Sequence, residues 1–183
     1  MISNWSTKKL GEICEFINGF SFKADDFNEK GLGLPVIRTG DLNNLRKTEK
    51  FYKGPYNDNY IVNSGDVLIG LSGTIISGVW QGGKALLNQR VVKLINFKNS
   101  DKKFIAYTLP LCLKKLSEEL TKSAVKNVLK HHLETLEIPL PPLPIQQKIV
   151  KVLDTIQEAV DIQEKIIEKT KELKKSLMNL LFH

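Results

Sequence analysis

Four prolines fall within seven residues, Ile138-Pro139-Leu140-Pro141-Pro142-Leu143-Pro144, and an unbroken helical pattern of 39 residues from Ile145 to His183 follows directly. Each proline fixes its own φ and steers its predecessor away from the helical region, so the segment takes an extended, polyproline-like path and works as a semi-rigid strap. Pro144 suits the first helical position, where a missing amide proton costs nothing. The junction divides the chain into a mixed domain (1–137), a proline strap (138–144) and a long amphipathic helix (145–183).

Read in heptads, Ile149, Ile156, Gln163, Thr170 and Leu177 occupy position a, and Val152, Ala159, Ile166, Leu173 and Leu180 occupy position d. Leu153, Val160, Ile167 and Leu181 at position e widen the stripe beyond a two-stranded seam. At 1.5 Å per residue the helix is about 55 Å long, more than a domain of this size can cover. Leaving ten to twelve of its apolar side chains in water would forgo about 15–35 kcal/mol of burial. The chain's own domain is expected to cover the first turns and a partner helix the rest. Gln163 and Thr170, polar at consecutive a positions, would fix register or orientation and, in a two-fold antiparallel pair, meet their own copies near the centre.

Before the strap, short strands and turns dominate the first 100 residues. Trp5 to Phe16 suits either a strand or a helical turn or two, and Asn18-Gly19 marks a turn. Val36-Ile37-Arg38 reads as a strand ended by Thr39-Gly40-Asp41, and Asn63-Ser64-Gly65-Asp66 as a turn feeding Val67-Leu68-Ile69. The glycine-punctuated stretch to Gly83 suits a hairpin with a wide loop, and Leu86 to Leu94 a closing strand. From Asp101 the apolar period becomes helical, with Pro110 expected to kink or divide the helix, and a short helix follows around His131 to Leu136. The fold class is α+β: an irregular, mainly β domain with a few helices, followed by one long C-terminal coiled-coil helix.

The net charge of +7 is uneven. From Ile145 onward seven lysines face six carboxylates, net +1, whereas the first 144 residues carry twenty basic and fourteen acidic side chains, net +6. A basic domain on a nearly neutral rod suggests a polyanion for the domain and protein for the rod. The N-terminus lacks an apolar signal segment and no apolar run reaches the roughly 18 residues of a membrane span, so a cytoplasmic protein without membrane contact is expected. Cys14 and Cys112, each among apolar neighbours, read as buried free thiols.

Nothing assembles into a recognisable catalytic constellation. GxGxxG, P-loop and GxSxG patterns are missing from the sequence. His131 and His132 are adjacent, and helical neighbours point about 100° apart, a poor chelate. Asp25, Asp26, Asp41 and Asp66 sit beside turn residues, where capping explains them. No metal site and no enzymatic activity are expected of this chain.

Several stretches, in order, resemble the specificity (S) subunit of type I restriction-modification systems. They are Leu10-Gly11-Glu12-Ile13, Asn18-Gly19-Phe20-Ser21-Phe22, Leu34 to Leu42, Ser64-Gly65-Asp66-Val67-Leu68, Ser72-Gly73-Thr74, Leu87-Asn88-Gln89-Arg90-Val91, Ser123 to Asn127 and Leu136 to Pro144. The resemblance implies one target recognition domain reading a short half-site in double-stranded DNA, then a helix acting as ruler and docking post. It implies a half-subunit that pairs as an antiparallel homodimer, or with another half-subunit, and recognises a bipartite site. Methyltransferase (M) and restriction (R) subunits would be its partners, with S-adenosylmethionine, ATP and Mg²⁺ bound by them and no cofactor in this chain. The family's acidic residue before the helix-start glutamine is Ile145 here, and its glycine before Ser123 is Lys122.

The residues expected to meet DNA are Lys23, Arg38, Arg46, Lys47, Lys84, Arg90, Lys126 and Asn127, basic or amide side chains at loops and turns. Lysines would neutralise phosphates, whereas arginine and asparagine also match guanine and adenine edges. Arg38 and Arg90, on expected strands, have a structural reading as well, and Asn88-Gln89 has two readings, a turn or a base contact. A coiled-coil scaffold with a nonspecific nucleic-acid-binding domain is the alternative function.

Overall fold

The computed structural model describes residues 5–72, 75–122 and 128–182. In chain order the elements begin with β1 (Ser6–Lys9), α1 (Leu10–Ile13), β2 (Glu15–Asn18), β3 (Phe27–Asn28), β4 (Leu34–Ile37), β5 (Phe51–Tyr52) and β6 (Ile61–Val62). They continue with β7 (Val67–Gly70), β8 (Ile76–Val79), β9 (Ala85–Leu87), β10 (Val91–Ile95), α2 (Lys102–Lys122), α3 (Lys130–Glu134), β11 (Glu137–Leu140) and α4 (Leu143–Phe182). The class is α+β, with the long helix at the C-terminal end of the described chain.

Two sheets stack beneath the helices. One runs β2-β10-β7-β8, all antiparallel; the other runs β3-β5-β4-β9-β6, with β4 and β9 parallel. Alternation along the strands builds the layers. Val67, Ile69, Val92 and Leu94 point to the core shared with α1, α2, α3 and the start of α4. Leu68 and Val91, on the same strands, point instead to Ile37, Ala85, Leu87 and Trp80 between the two sheets. Val36 and Leu86 face outward onto Phe22 and Tyr52. Lys93 is buried between the sheets, where its ammonium donates to the Ile61 carbonyl at 2.5 Å.

The expected single strand from Leu86 to Leu94 is two strands. Arg90 takes φ 68°, turning the chain from β9 in one sheet to β10 in the other. A continuous strand would keep both halves in one sheet, and the intervening core of Trp80 and Leu87 would be lost. Arg38 and Arg90 therefore lie just outside strands rather than on them.

Two further expectations change. Pro110 does not divide α2, which runs from Lys102 to Lys122 with Pro110 on its exposed face and Leu109, Cys112 and Leu113 on the buried one. Glu137 and the first three residues of the strap, 138–140, form a strand paired antiparallel with β1, in register Ser6↔Leu140 to Lys9↔Glu137. This ladder has only two strands, so Pro139 leaves no interior ladder bond unmade. The helix then starts at Leu143, the Pro142 carbonyl accepting from Ile145 and Gln146 at 2.8 and 3.1 Å. Pro144 lies in the first turn, where amide protons have no partner within the helix.

Cys14 and Cys112 are free and buried. Burial, followed by the charge of Glu15, pushes the Cys14 thiol up to about 12. Among the described residues no helix is long and apolar enough to cross a membrane.

Candidate nucleic-acid interface

The segment from Arg38 to Lys47 connects β4 to the loop before β5 and presents Asn43, Asn44, Arg46 and Lys47 to solvent. Its first half is a 3₁₀ turn, Thr39–Asn43, opened by Asp41, whose carboxylate accepts from the Arg38 main-chain N–H at 2.8 Å and from Nε at 3.3 Å. Leu42 anchors it in the core between the sheets.

Two other loops pack against this segment. The turn at 88–90 joins it where the Asn88 N–H donates to Ile37 and the Thr39 hydroxyl to the Arg90 carbonyl. Arg38 and Arg90 thus flank the C-terminal ends of the parallel strands β4 and β9. The loop at 80–84 joins further along, the Gln81 N–H donating to the Leu45 carbonyl at 2.7 Å and Trp80 Nε1 closing the loop onto Gly83 at 2.8 Å. Arg46 and Lys47 are carried by the segment itself and Lys84 by the 80–84 loop, and all three are exposed.

Lys23 is exposed at the start of the short turn Ala24–Asp26 and belongs to neither cluster. Lys126 and Asn127 lie outside the described residues. Arg46 makes contacts that the sequence did not reveal. Its Nε donates to Gln81 Oε1 at 2.9 Å, and Nη2 lies 3.6 Å from Asp161 Oδ1 on α4. It therefore braces the loop against the rod, so only part of its donor set is free.

The junction with the rod is polar and depends on residues missing from the expected set. Gln146 is fully buried and bridges Asp101 and Pro141. Further along α4, Asp154 accepts from Lys103 at 2.6 Å and from the Tyr107 hydroxyl at 2.8 Å. The Lys103 hydrogen bond, aided by Tyr107, holds the Asp154 carboxyl below the usual carboxylate range. Burial, then the hydrogen bond to Asp154, raises Tyr107 to about 12. A groove of about 440 Å³ remains between Leu45, Val79, Tyr107 and the Asp154–Asp161 stretch of α4. The signal for this junction was present in part: a glutamine directly after a proline-rich strand.

Beyond Asp161 every described residue of α4 is exposed. On the heptad positions Ile149 is half-buried, and Val152, Ile156, Ala159, Gln163, Ile166, Thr170, Leu173, Leu177 and Leu180 are exposed. At 100° per residue, the domain-facing residues Gln146, Val150, Asp154, Gln157 and Asp161 lie on a different side of the helix from that stripe. The helix can hold its own domain and present a bare apolar seam at once. The His131 and His132 rings lie with centroids 3.9 Å apart and planes tilted by 52°, and His132 Nδ1 accepts from the Leu129 N–H. Among the described residues no group of three or more His, Cys, Asp or Glu is placed to hold a metal ion.

A family model, the type I restriction modification DNA specificity domain, matches residues 2–172. The type I restriction enzyme EcoBI specificity subunit of Escherichia coli is 30% identical over 174 residues, covering 94% of this chain and 36% of that protein. The MjaVIII specificity subunit of Methanocaldococcus jannaschii is 31% identical over 193 residues, covering 97% of this chain and 45% of its own length. The chain thus spans less than half the length of these curated relatives. Among solved structures, the HsdS subunit from Thermoanaerobacter tengcongensis is similar with TM-score 0.63 and 28% identity, over 88% of this chain and 39% of that one. A chain from a structure of type I R-M complex assembly and conformational transition gives TM-score 0.67 and 27% identity, over 97% of this chain and 44% of its own. The S subunit from M. genitalium, at 15% identity and TM-score 0.67 over 96% of this chain and 45% of its own, shares the fold.

Proposed function

The chain belongs to the type I restriction-modification DNA specificity family, and on that premise we propose that it is a noncatalytic module that recognises a short sequence in double-stranded DNA. The observation that carries this reading is the convergence of Arg38, Arg90, Arg46, Lys47 and Lys84 on one segment and the two loops packed against it. Such side chains neutralise phosphates, and the arginines match guanine edges. Lys23, Lys126 and Asn127 join the proposed contact set from elsewhere.

The bare stripe of α4 supports a second part of the proposal. The ten heptad residues Ile149 to Leu180 take up a partner helix, either a second copy in antiparallel orientation or the corresponding helix of another recognition unit. Two recognition domains then stand apart at a fixed separation and read a bipartite site. Methyltransferase and restriction subunits supply the chemistry with their own S-adenosylmethionine, ATP and Mg²⁺.

The test is methylation mapping in a host carrying this gene with a methyltransferase partner. A methylated bipartite motif is expected, palindromic for a homodimer and asymmetric for a mixed pair. DNA left unmodified, or methylated without sequence preference, sinks the reading.

A further inference from the structure

Residues 43–47 and the 80–84 loop meet through side chains as well as through the backbone. Arg46 Nε donates to Gln81 Oε1 at 2.9 Å, while Nη2 lies 3.6 Å from Asp161 Oδ1. Nε and Nη2 share one edge of the flat guanidinium fork, so two acceptors of the protein hold that edge. The end edge, formed by Nη1 and the second Nη2 proton, is left over. Nη1 has no hydrogen-bond or ion-pair partner among the described residues, and the side chain is 49% exposed. The main chain beneath is fixed as well. The Gln81 N–H donates to the Leu45 carbonyl at 2.7 Å, and a Cβ on Gly82 would lie 2.8 Å from the Arg46 carbonyl oxygen, an approach that any side chain would obstruct. An arginine on a fixed turn, with its plane set by two partners, loses little freedom when it meets a ligand.

A side chain that sets this chain's own base preference belongs outside the stretches it shares with its family. Both loops meet that condition: 43–47 falls between the shared stretches ending at Leu42 and beginning at Ser64, and 80–84 between those ending at Thr74 and beginning at Leu87. Their charge also sets them apart. Together they carry Arg46, Lys47 and Lys84 and no carboxylate. By contrast, 23–33 sets Lys23 and Lys30 against Asp25, Asp26 and Glu29, and 49–60 sets Lys50 and Lys53 against Glu49 and Asp58. A polyanion is met best where no carboxylate opposes it.

We propose that Arg46 reads a guanine in the major groove, its free end edge donating to O6 and N7, and that Gln81 and Asp161 are the positioning residues that aim it. Asp161 belongs to α4, so the rod helps to set which base is read beside it. The inference rests on the DNA-recognition reading and makes Arg46 a specificity-determining residue rather than one basic contact among several.

Selection of bound sequences from randomised duplexes by the full chain tests it. Arg46→Lys keeps the charge, and with it an ion pair to Asp161 or to a phosphate, but lacks the fork. Preference for one guanine should fall about five- to 150-fold, the span of one bidentate contact, while the salt slope and the urea midpoint stay unchanged. Gln81→Ala and Asp161→Ala should each lower the same preference several-fold. Gln81→Glu, which keeps the acceptor, should hold the preference even as its added charge weakens binding on every sequence. An Arg46→Lys motif identical to wild type overturns the inference, leaving Arg46 a brace or a phosphate contact and DNA recognition standing. A preference lost with Arg46→Lys but untouched by Gln81→Ala and Asp161→Ala overturns the positioning roles. A wild-type chain that selects no motif overturns the recognition reading and this inference with it.

Discussion

The Asp101 main-chain N–H donates to Oε1 of the buried Gln146 at 2.8 Å, joining the N-terminus of α2 to the first turn of α4. Asp101 in turn caps α2, its Oδ1 accepting from Lys103 and Phe104 at 2.9 and 3.0 Å. Gln146 Nε2 completes the link by donating to the Pro141 carbonyl at 2.7 Å. One amide side chain thus satisfies a helix start and the end of a proline-rich strand.

Gln146→Leu keeps the volume and strands both partners. Two groups left unpaired cost about 1–3 kcal/mol each, so destabilisation of roughly 2–6 kcal/mol is expected in urea unfolding. A loss under 1 kcal/mol would show that water replaces the side chain there.

Gly33 and Gly31 separate strain from collision. Both have positive φ, +88° and +77°, but a Cβ on Gly33 would lie 2.0 Å from the Tyr52 carbonyl oxygen while Gly31 faces open space. Gly31→Ala should cost about 1 kcal/mol and Gly33→Ala at least twice that, measured by thermal unfolding. Equal losses would mean that the backbone beside Tyr52 yields freely.

The Asp154 carboxyl is depressed in the folded state by Lys103 and Tyr107. A depressed carboxyl contributes stability that is present above its unfolded value, near 4, and is lost as pH falls through the folded value. Asp154→Asn should therefore be less stable than wild type at pH 7, the gap closing below about pH 4. Urea midpoints from pH 2 to 7 report it, and a gap independent of pH would assign the effect to packing.

Leu173 is 61% exposed on the far half of α4. Leu173→Glu should leave the unfolding of the domain within about 0.5 kcal/mol, yet halve the solution mass of a paired chain in sedimentation. A wild type that stays monomeric at high micromolar concentration removes the homotypic seam.

Much of this architecture could be read from residue order. The β-branched runs at Val36 and Val67, the turn at Gly65 and the rod after Pro144 are local signals, because strand propensity, positive φ and helical periodicity act over a few residues. The break at Arg90 was hidden. Leu86 to Leu94 is apolar enough for one strand, and only the second sheet beneath Trp80 and Leu87 forces the chain to turn.

The sequence by itself determined that a basic, mainly β domain precedes a rod carrying a long apolar stripe, since charge and period are properties of the chain. The tertiary structure decided which donors remain free. Arg46, an expected DNA contact, braces the rod through Asp161, whereas the side chain of Gln89, expected to serve a turn, has no hydrogen-bond or ion-pair partner among the described residues. That choice depends on partners far away in the chain, such as Gln81 and Asp161, whose approach no local pattern encodes.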